Sequence, residues 1–503
     1  ELKNYKLYLK NKYGSLVTTL IHLTTEKINV SSEVASRDKW TYLAVKNSNG
    51  ENIGSWTMVY DEGFEVRLFT GKRYFGIFKY KMIKKKKKNC SEIITNKVLD
   101  DKHCYKTYAS RVQLGWTIHE QIDSSTKNKI FYRGCFYGQK MDSEAPSDVI
   151  NEQEDEEDEE DEQEEDEEKE NNSKQNKKLR VGLEDTNRSH GTRLANIYNR
   201  KPKQIYPCLK QDNKRRQINL TLPKDFSWGD PYNNPEFDDD VEDQGECGYC
   251  YIIASLYALK TRFEILLKNK YKKKKKMPKL SHQSMIKCSP YNQGCDGGYP
   301  FLVGKHLYEY GILPANNLSS IEDKKTMCKL SLGIFHEADN SDDNNKSNKN
   351  VNKAFYASDY NYINGCYECS NEYEMMTEIF HNGPIVAAID ADFSLKNLDG
   401  IDKDFIYTIH SDLAKVCDIP NQELNGWQET NHAITIVGWG EQLNKNNQKT
   451  QKYWIIRNTW GKQWGYKGYM KIKRGVNLIG IELQTVFIDP DFTRGYGKEL
   501  IES

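Results

Sequence analysis

Residues 152–170 read EQEDEEDEEDEQEEDEEKE, and no globular core can be threaded through them. Carboxylates at this density repel one another and carry too little apolar surface to offset the entropy lost on ordering. The stretch that follows is basic and Asn-rich, with few large apolar residues, and it ends near Lys214-Arg215-Arg216. The 503-residue chain is thereby divided into a piece at 1–143, a charged segment at 144–218, a larger piece at 219–490 and a C-terminal tail at 491–503. Exposed segments of this composition are where proteolytic nicking concentrates, so 144–218 reads as a linker or a removable propeptide segment. An autoinhibitory role for its C-terminal half is the alternative. A second acidic, Asn-rich stretch at 337–353 reads as a surface loop.

Over the whole chain 73 basic and 73 acidic residues cancel, so overall charge points to no nucleic-acid partner. The five-lysine runs Lys84–Lys88 and Lys272–Lys276 read as solvated loops. No run of 18 or more apolar residues occurs, so no membrane-spanning helix is expected. Glu1-Leu-Lys-Asn carries no apolar signal region, which fits a trimmed mature form or a start inside a longer precursor. Twelve cysteines accompany Asn-x-Ser/Thr sequons at Asn29, Asn89, Asn187, Asn219, Asn317 and Asn345. Together they favour an oxidising, secretory-route compartment and a glycoprotein.

The N-terminal piece is strand-rich. Trp56-Thr-Met-Val-Tyr60 and Phe64-Glu-Val-Arg-Leu-Phe69 are β-branched and aromatic, with Asp61-Glu-Gly63 as the turn between them, and Tyr74–Tyr80 adds a third run. Runs spaced this way predict an antiparallel sheet closing into a barrel. The larger piece begins helical: Ile252, Ile253, Leu256, Leu259, Phe263, Leu266 and Leu267 recur at three and four, predicting a long amphipathic helix that starts at or next to Cys250. Farther on, His432–Trp439, Tyr453–Arg457 and Tyr469–Lys473 read as strands, so this piece is α+β.

The stretch Gln244-Gly-Glu-Cys-Gly-Tyr-Cys-Tyr251 places Cys247 and Cys250 three apart at that helix start. A zinc site needs a second pair of ligands, and Cys366-x-x-Cys369 is a candidate whose secretory context argues against it. A redox pair would sit in a βαβ pattern, and none surrounds it. The remaining reading separates the sulfurs, with Cys247 in a disulfide and Cys250 a thiolate. A thiol at a helix N-terminus feels unpaired N–H groups and the positive dipole end, which lower its pKa. A histidine beside it then holds a thiolate–imidazolium pair, a strong nucleophile near neutral pH. Thr430-Asn431-His432-Ala433 offers that histidine at a strand start, and Arg457-Asn458-Thr459-Trp460-Gly461 offers an orienting amide after the next strand.

These motifs, in this order, resemble the papain family of cysteine peptidases. Gln244, Cys247, Gly248 and Cys250 match its nucleophile motif, while Tyr249 and Tyr251 stand where a small residue and Trp are usual. Leu280-Ser-His-Gln-Ser284, Gly294-Cys-Asp-Gly-Gly298, Asn431-His432-Ala433 and Asn458-Thr-Trp-Gly-Lys-Gln-Trp-Gly465 complete the set. The resemblance implies a two-lobed fold, a helical left lobe and a β-barrel right lobe. It implies Cys250 as nucleophile, His432 as base and acid, Asn458 as orienter, Trp460 as its shield and Gln244 as oxyanion donor. Gly297, Gly298, Pro300 and Asn431 are the implied substrate-binding positions, and Cys247–Cys295 and Cys288–Cys328 the implied disulfides. The pairing of Cys90, Cys104, Cys135, Cys366, Cys369 and Cys417 stays open.

Residues 1–143 resemble the exclusion domain of the cathepsin C, or dipeptidyl peptidase I, branch. The likeness runs through Trp56–Val66, Tyr74–Lys81, Leu114–His119 and Gly134–Gly138, with Tyr360-Asn-Tyr-Ile-Asn364 and Gly383-Pro384 agreeing in the catalytic piece. The Asn- and Lys-rich insertions look like those of malaria-parasite dipeptidyl aminopeptidases. This resemblance implies an exopeptidase that removes dipeptides from peptides with a free N-terminus, with Glu1 in the place of the branch's ammonium-binding N-terminal Asp. A papain-like endopeptidase and a pseudopeptidase with a binding role are the competing readings. No metal or other cofactor is implied. Phe301 stands where relatives place a chloride-contacting Tyr, which speaks against chloride dependence. The resembled branch is tetrameric, and the oligomeric state of this chain is open, a monomer included. The compartment implied is lysosome- or vacuole-like, a secretory organelle, or extracellular or parasitophorous.

Overall fold

Alternating β-branched and aromatic residues give the N-terminal region its strands. They are β1 (Asn4–Lys10), β2 (Leu16–Asn29), β3 (Thr41–Lys46), β4 (Asn52–Val59), β5 (Gly63–Leu68), β6 (Lys72–Met82), β7 (Tyr105–Ile122) and β8 (Lys129–Lys140). Each pairs antiparallel with the next, and β1 also pairs with β8, so the sheet closes into the barrel that the strand spacing predicts. The run Tyr74-Phe-Gly-Ile-Phe78 is apolar without strict alternation because β6 is buried on both faces. Tyr74 and Phe78 fill the barrel with Trp56, Phe64, Val66, Val112 and Phe136, whereas Phe75 points out and packs on Trp116 and Tyr291. Gly115 is required inside the barrel, since a Cβ there would lie 2.2 Å from the Phe136 ring.

This computed structural model describes residues 4–10, 16–60, 62–82, 105–122, 129–140, 206–207, 222–317, 323–332, 354–391, 393–408, 423–424, 430–443 and 450–502. The acidic tract, the loop at 337–353, Lys84–Lys88, Glu1, Cys90, Cys104 and Cys417 lie outside the described residues. Of the segment 144–218, Tyr206 and Pro207 are described, and they pair antiparallel with Leu424 and Glu423.

The first half of the larger piece is helical, with α1 (Cys250–Asn269), α2 (His282–Cys288), α3 (Pro300–Glu309) and α4 (Lys324–Leu332). Its second half carries β9 (Ala357–Tyr362), α5 (Glu372–Asn382), β10 (Ile385–Ile389), β11 (His432–Leu443), β12 (Thr450–Arg457), β13 (Tyr469–Lys473) and β14 (Thr485–Pro490). These strands run in the order β9-β14-β10-β11-β12-β13, with Ile406–Tyr407 on the far edge and Phe226–Ser227 against β11. The expected right-lobe barrel is thus an eight-stranded sheet whose end strands do not pair among the described residues; its inner face is filled by Trp439, Trp454, Ile456 and Phe487. One apolar core joins α1, α3 and the barrel, a second fills the β lobe, and Cys250 and Trp460 lie on their respective rims.

Two expectations change here. The segment set apart as a tail contains α6 (Gly495–Glu502), and Phe492 just before it packs on Phe263 of α1 at 5.0 Å. The run Lys272–Lys276 is not wholly solvated: the half-buried Lys273 and Lys275 donate to the carbonyls of Ile501 and Leu500 at 2.6 and 3.4 Å. Cations there satisfy acceptors at the negative end of α6. Charge pattern alone hides this because the acceptors are backbone groups more than 200 residues away.

Candidate active site

Cys250 is the first residue of α1, so its backbone N–H belongs to the first turn of a 20-residue helix, whose donors have no acceptor within the helix. The loop before it is pinned three ways. Cys247 is bonded to Cys295 with Cα atoms 4.6 Å apart, Gly248 N donates to Cys295 O at 2.9 Å, and Tyr251 Oη donates to Gly294 O at 2.9 Å. Tyr251, in the position usual for Trp, fills the space beside Gly298, where a Cβ would lie 2.6 Å from its ring. Gly298 is therefore obligatory, and Pro300 begins α3 directly after it. Cys288 is bonded to Cys328 and Cys366 to Cys369, while Cys135 is an exposed thiol. Among the described residues no group of three or more His, Cys, Asp or Glu is placed to hold a metal ion.

Cys250 Sγ is buried and accepts a hydrogen bond from Ala433 N at 3.2 Å, which sets the sulfur against the start of β11. His432 is the first residue of that strand. Its Nε2 lies 2.7 Å from Asn458 Oδ1, and the same oxygen accepts from Thr459 N at 2.8 Å. The backbone donor fixes which end of the amide is oxygen, so His432 Nε2 carries a proton and Nδ1 is the basic nitrogen of the neutral ring. Trp460 stacks on the imidazole at 4.3 Å between centroids and 23° between planes, and Trp464 meets Trp460 edge-on at 5.4 Å. Both indoles are fully buried, so water is kept from the His432–Asn458 bond.

Gln244 is held from two sides. Its N–H donates to Thr459 O at 2.9 Å, its Oε1 accepts from Thr459 Oγ1 at 2.6 Å, and its Nε2 donates to Cys247 O at 3.2 Å. The amide is thus oriented with N–H groups toward the cysteine loop. The Asn431 side chain is engaged elsewhere, with Oδ1 accepting from Ala391 N at 2.8 Å and Nδ2 donating to Asp390 Oδ1 at 3.3 Å. Phe301 stacks on Tyr362 at 4.8 Å in an aromatic cluster behind Gly298. Glu1 lies outside the described residues.

One residue beside the nucleophile comes from the barrel. Tyr60, in the β4–β5 turn, is buried and stacks on Tyr299 at 3.7 Å. Its backbone is left-handed at φ +51°, a conformation uncommon for a bulky residue. Burial, and then the charge of Cys250, push its phenol far above the ordinary tyrosine value. Sequence reasoning missed it: Tyr60 sits at the end of a strand-like run, and only docking of the two domains brings it to Cys250.

The geometry is a cysteine at a helix N-terminus, a tautomer-fixed imidazole on the adjoining strand, and an oriented amide. The profile of the papain family cysteine proteases matches residues 222–488, and that of the cathepsin C exclusion domain matches 23–140. Dipeptidyl aminopeptidase 1 of Plasmodium falciparum (isolate 3D7) is 28% identical, aligned over all of this chain and 89% of that one. Cathepsin C of Schistosoma mansoni is 26% identical over 92% of this chain and 89% of its own. Among solved structures, the bromelain protease of Ananas comosus is 22% identical, with a TM-score of 0.36 over 54% of this chain and 100% of its own. The chain belongs to the papain family of cysteine proteases and carries a cathepsin C exclusion domain ahead of its peptidase domain.

Proposed function

We propose that the protein is a cysteine dipeptidyl aminopeptidase, removing dipeptides from peptides with a free N-terminus. The observation that carries this is the barrel turn bearing Tyr60, buried against Tyr299, the residue that follows the Gly297-Gly298 strip, beside Cys250. A wall from a second domain at that place limits how much peptide fits ahead of the scissile bond. The relatives named dipeptidyl aminopeptidase 1 and cathepsin C support the same reading.

In this reading Cys250 attacks the carbonyl of the second residue as thiolate, with His432 carrying the proton at Nδ1. The oxyanion of the tetrahedral intermediate is met by Gln244 Nε2 and the Cys250 backbone N–H, each donor contributing about 3 kcal/mol in comparable sites. Collapse breaks the C–N bond, the His432 proton passes to the leaving amine, and a thioester joins the dipeptide to Cys250. Water, deprotonated by His432, then attacks the thioester and frees the dipeptide, returning the thiolate–imidazolium pair. Asn458 keeps the imidazole turned toward the sulfur throughout, under Trp460. The substrate partner is a peptide. The three disulfides among the described residues fit an oxidising compartment on the secretory route, and no helix among the described residues is long and apolar enough to cross a membrane.

The test is hydrolysis of fluorogenic dipeptide amides with free and with acetylated N-termini. Cleavage confined to the free form, and abolished in Cys250→Ala, is expected. Equal cleavage of both forms points instead to an endopeptidase, and no cleavage with no labelling by an epoxide probe points to a pseudopeptidase.

A further inference from the structure

Tyr249 stands where the resembled motif has a small residue, and the chemistry above gives it nothing to do. Its ring faces His282 of α2, 6.0 Å between centroids. His282 Nδ1 lies 3.0 Å from Glu242 Oε1, and Lys279 Nζ lies 3.7 Å from the other oxygen of that carboxylate. Glu242 is two residues before Gln244, on a strip that spans the lobes. On the β-lobe side three backbone ties hold it: Gly461 N donates to Glu242 O at 3.1 Å, Asp243 bridges Trp460, and Gln244 N donates to Thr459 O at 2.9 Å. On the helical side, the Glu242 side chain is what binds the strip to α2 and the residues before it.

We infer that Glu242 and His282, roofed by Tyr249, form an interlobe brace that positions the Gln244 amide for the oxyanion. The brace rests on the reading of Gln244 as an oxyanion donor. His282 and Glu242 are positioning residues, since neither touches the reacting atoms. The side chain of His282 is 14% exposed and that of Glu242 26%, so the pair is shielded from water without being dry. A small residue at 249 would uncover it. Partial burial by itself would raise the Glu242 carboxyl, but the hydrogen bond and charge of His282, then Lys279 and Arg457, bring it below its ordinary value. The charged groups around the pair are Asp243 on the strip, Lys279 before α2 and Arg457 on β12, and the neutral phenol of Tyr249 faces it from the start of α1.

The test is kcat and KM of the full chain on a free dipeptide amide, normalised to epoxide-titrated thiol. His282→Ala is expected to lower kcat about fivefold, the rate equivalent of a partly exposed polar pair, with KM little changed. His282→Lys, which returns an N–H donor to Glu242, should restore most of that kcat. Tyr249→Ser should lower kcat in the same direction as His282→Ala. Unchanged kcat in His282→Ala, or a His282→Lys protein as slow as His282→Ala, overturns the brace. Gln244→Ala separates the two readings. If it leaves kcat unchanged, the oxyanion assignment itself fails; if it lowers kcat about a hundredfold while the His282 variants match the parent, the brace alone fails.

Discussion

Two of the seams that fasten the barrel to the peptidase domain have opposite chemistry. In the charged seam, Arg37 from the 3-10 turn after β2 bonds Glu378 of α5 through Nε and Nη2 and Asp489 of β14 through Nη1 and the same Nη2. Arg262 of α1 reaches the same two carboxylates at 2.8 and 2.7 Å, and all but Asp489 are fully buried. In the aromatic seam, Tyr60 stacks on Tyr299 and leans on Tyr367, while Phe75 and Trp116 pack edge-on against Tyr291. Ring pairs of this kind add about 0.5–1.5 kcal/mol each beyond their area and tolerate small shifts. Buried ions gain little over apolar packing, yet they accept almost no misalignment. The charged seam thus fixes how the barrel docks, and the aromatic seam, which adjoins Cys250, supplies adhesion and shapes the cleft.

Breaking the charged seam carries the largest expected effect. Arg262→Ala leaves Glu378 and Asp489 sharing one guanidinium and strips the carbonyls of Pro384 and Gly383 of a donor. Removal of one partner from a buried cluster costs about 3–5 kcal/mol, read as a lowered urea midpoint of the full chain. Acid reaches the same seam. Burial alone would raise the Glu378 carboxyl, but the charges and hydrogen bonds of Arg37 and Arg262 hold it well below the carboxylate range. Its folded pKa is depressed, so its stability contribution is present above the unfolded value and is lost as pH falls through the folded one. Stability should therefore drop below about pH 4.5, and Glu378→Gln should flatten that drop while lowering stability at neutral pH. A parent whose midpoint is unchanged from pH 5 to pH 3 would contradict the assignment. The aromatic seam fails at the other end: buried phenols with raised pKa, Tyr60 and Tyr362 among them, lose their contribution only as pH climbs above the ordinary tyrosine value.

The two seams also differ in how far the sequence discloses them. Strand runs such as Trp56–Tyr60 and Tyr74–Tyr80, and the three- and four-spaced apolar residues after Cys250, name their elements because local periodicity is what those elements require. Cys250, His432, Asn458 and Gln244 stand out because each sits in a motif whose neighbours are constrained too. Arg37, Arg262 and Glu378 do not stand out. Arg262 lies on the apolar face of α1 where a Leu would fit the pattern, and its partners are 116 and 227 residues away. Cys366 and Cys369 were equally open until β9 placed them in one tight turn, bonded to each other. Lys273 and Lys275 read as solvated for the same reason, since their acceptors come from α6. What periodicity cannot carry is a partner from another element, and every feature that joins the domains is of that kind.

The finest test of the aromatic seam uses a single oxygen. Tyr60 Oη is buried, and among the described residues no group bonds it. An unsatisfied buried hydroxyl costs stability, so deleting it should help where deleting most buried groups hurts. Tyr60→Phe keeps the 3.7 Å stack on Tyr299 and is expected to raise stability by about 1 kcal/mol, seen as a higher urea midpoint at unchanged slope. The charged seam has no such position, because each of its polar atoms is paired and every deletion there destabilises. Selectivity sharpens the contrast: Tyr60→Phe keeps the wall and should leave the preference for free N-termini intact, whereas Tyr60→Ala removes it and should admit acetylated substrates. A Tyr60→Phe protein less stable than the parent would mean that the hydroxyl is satisfied after all, and the seam would then be polar at its centre rather than an apolar wall beside the nucleophile.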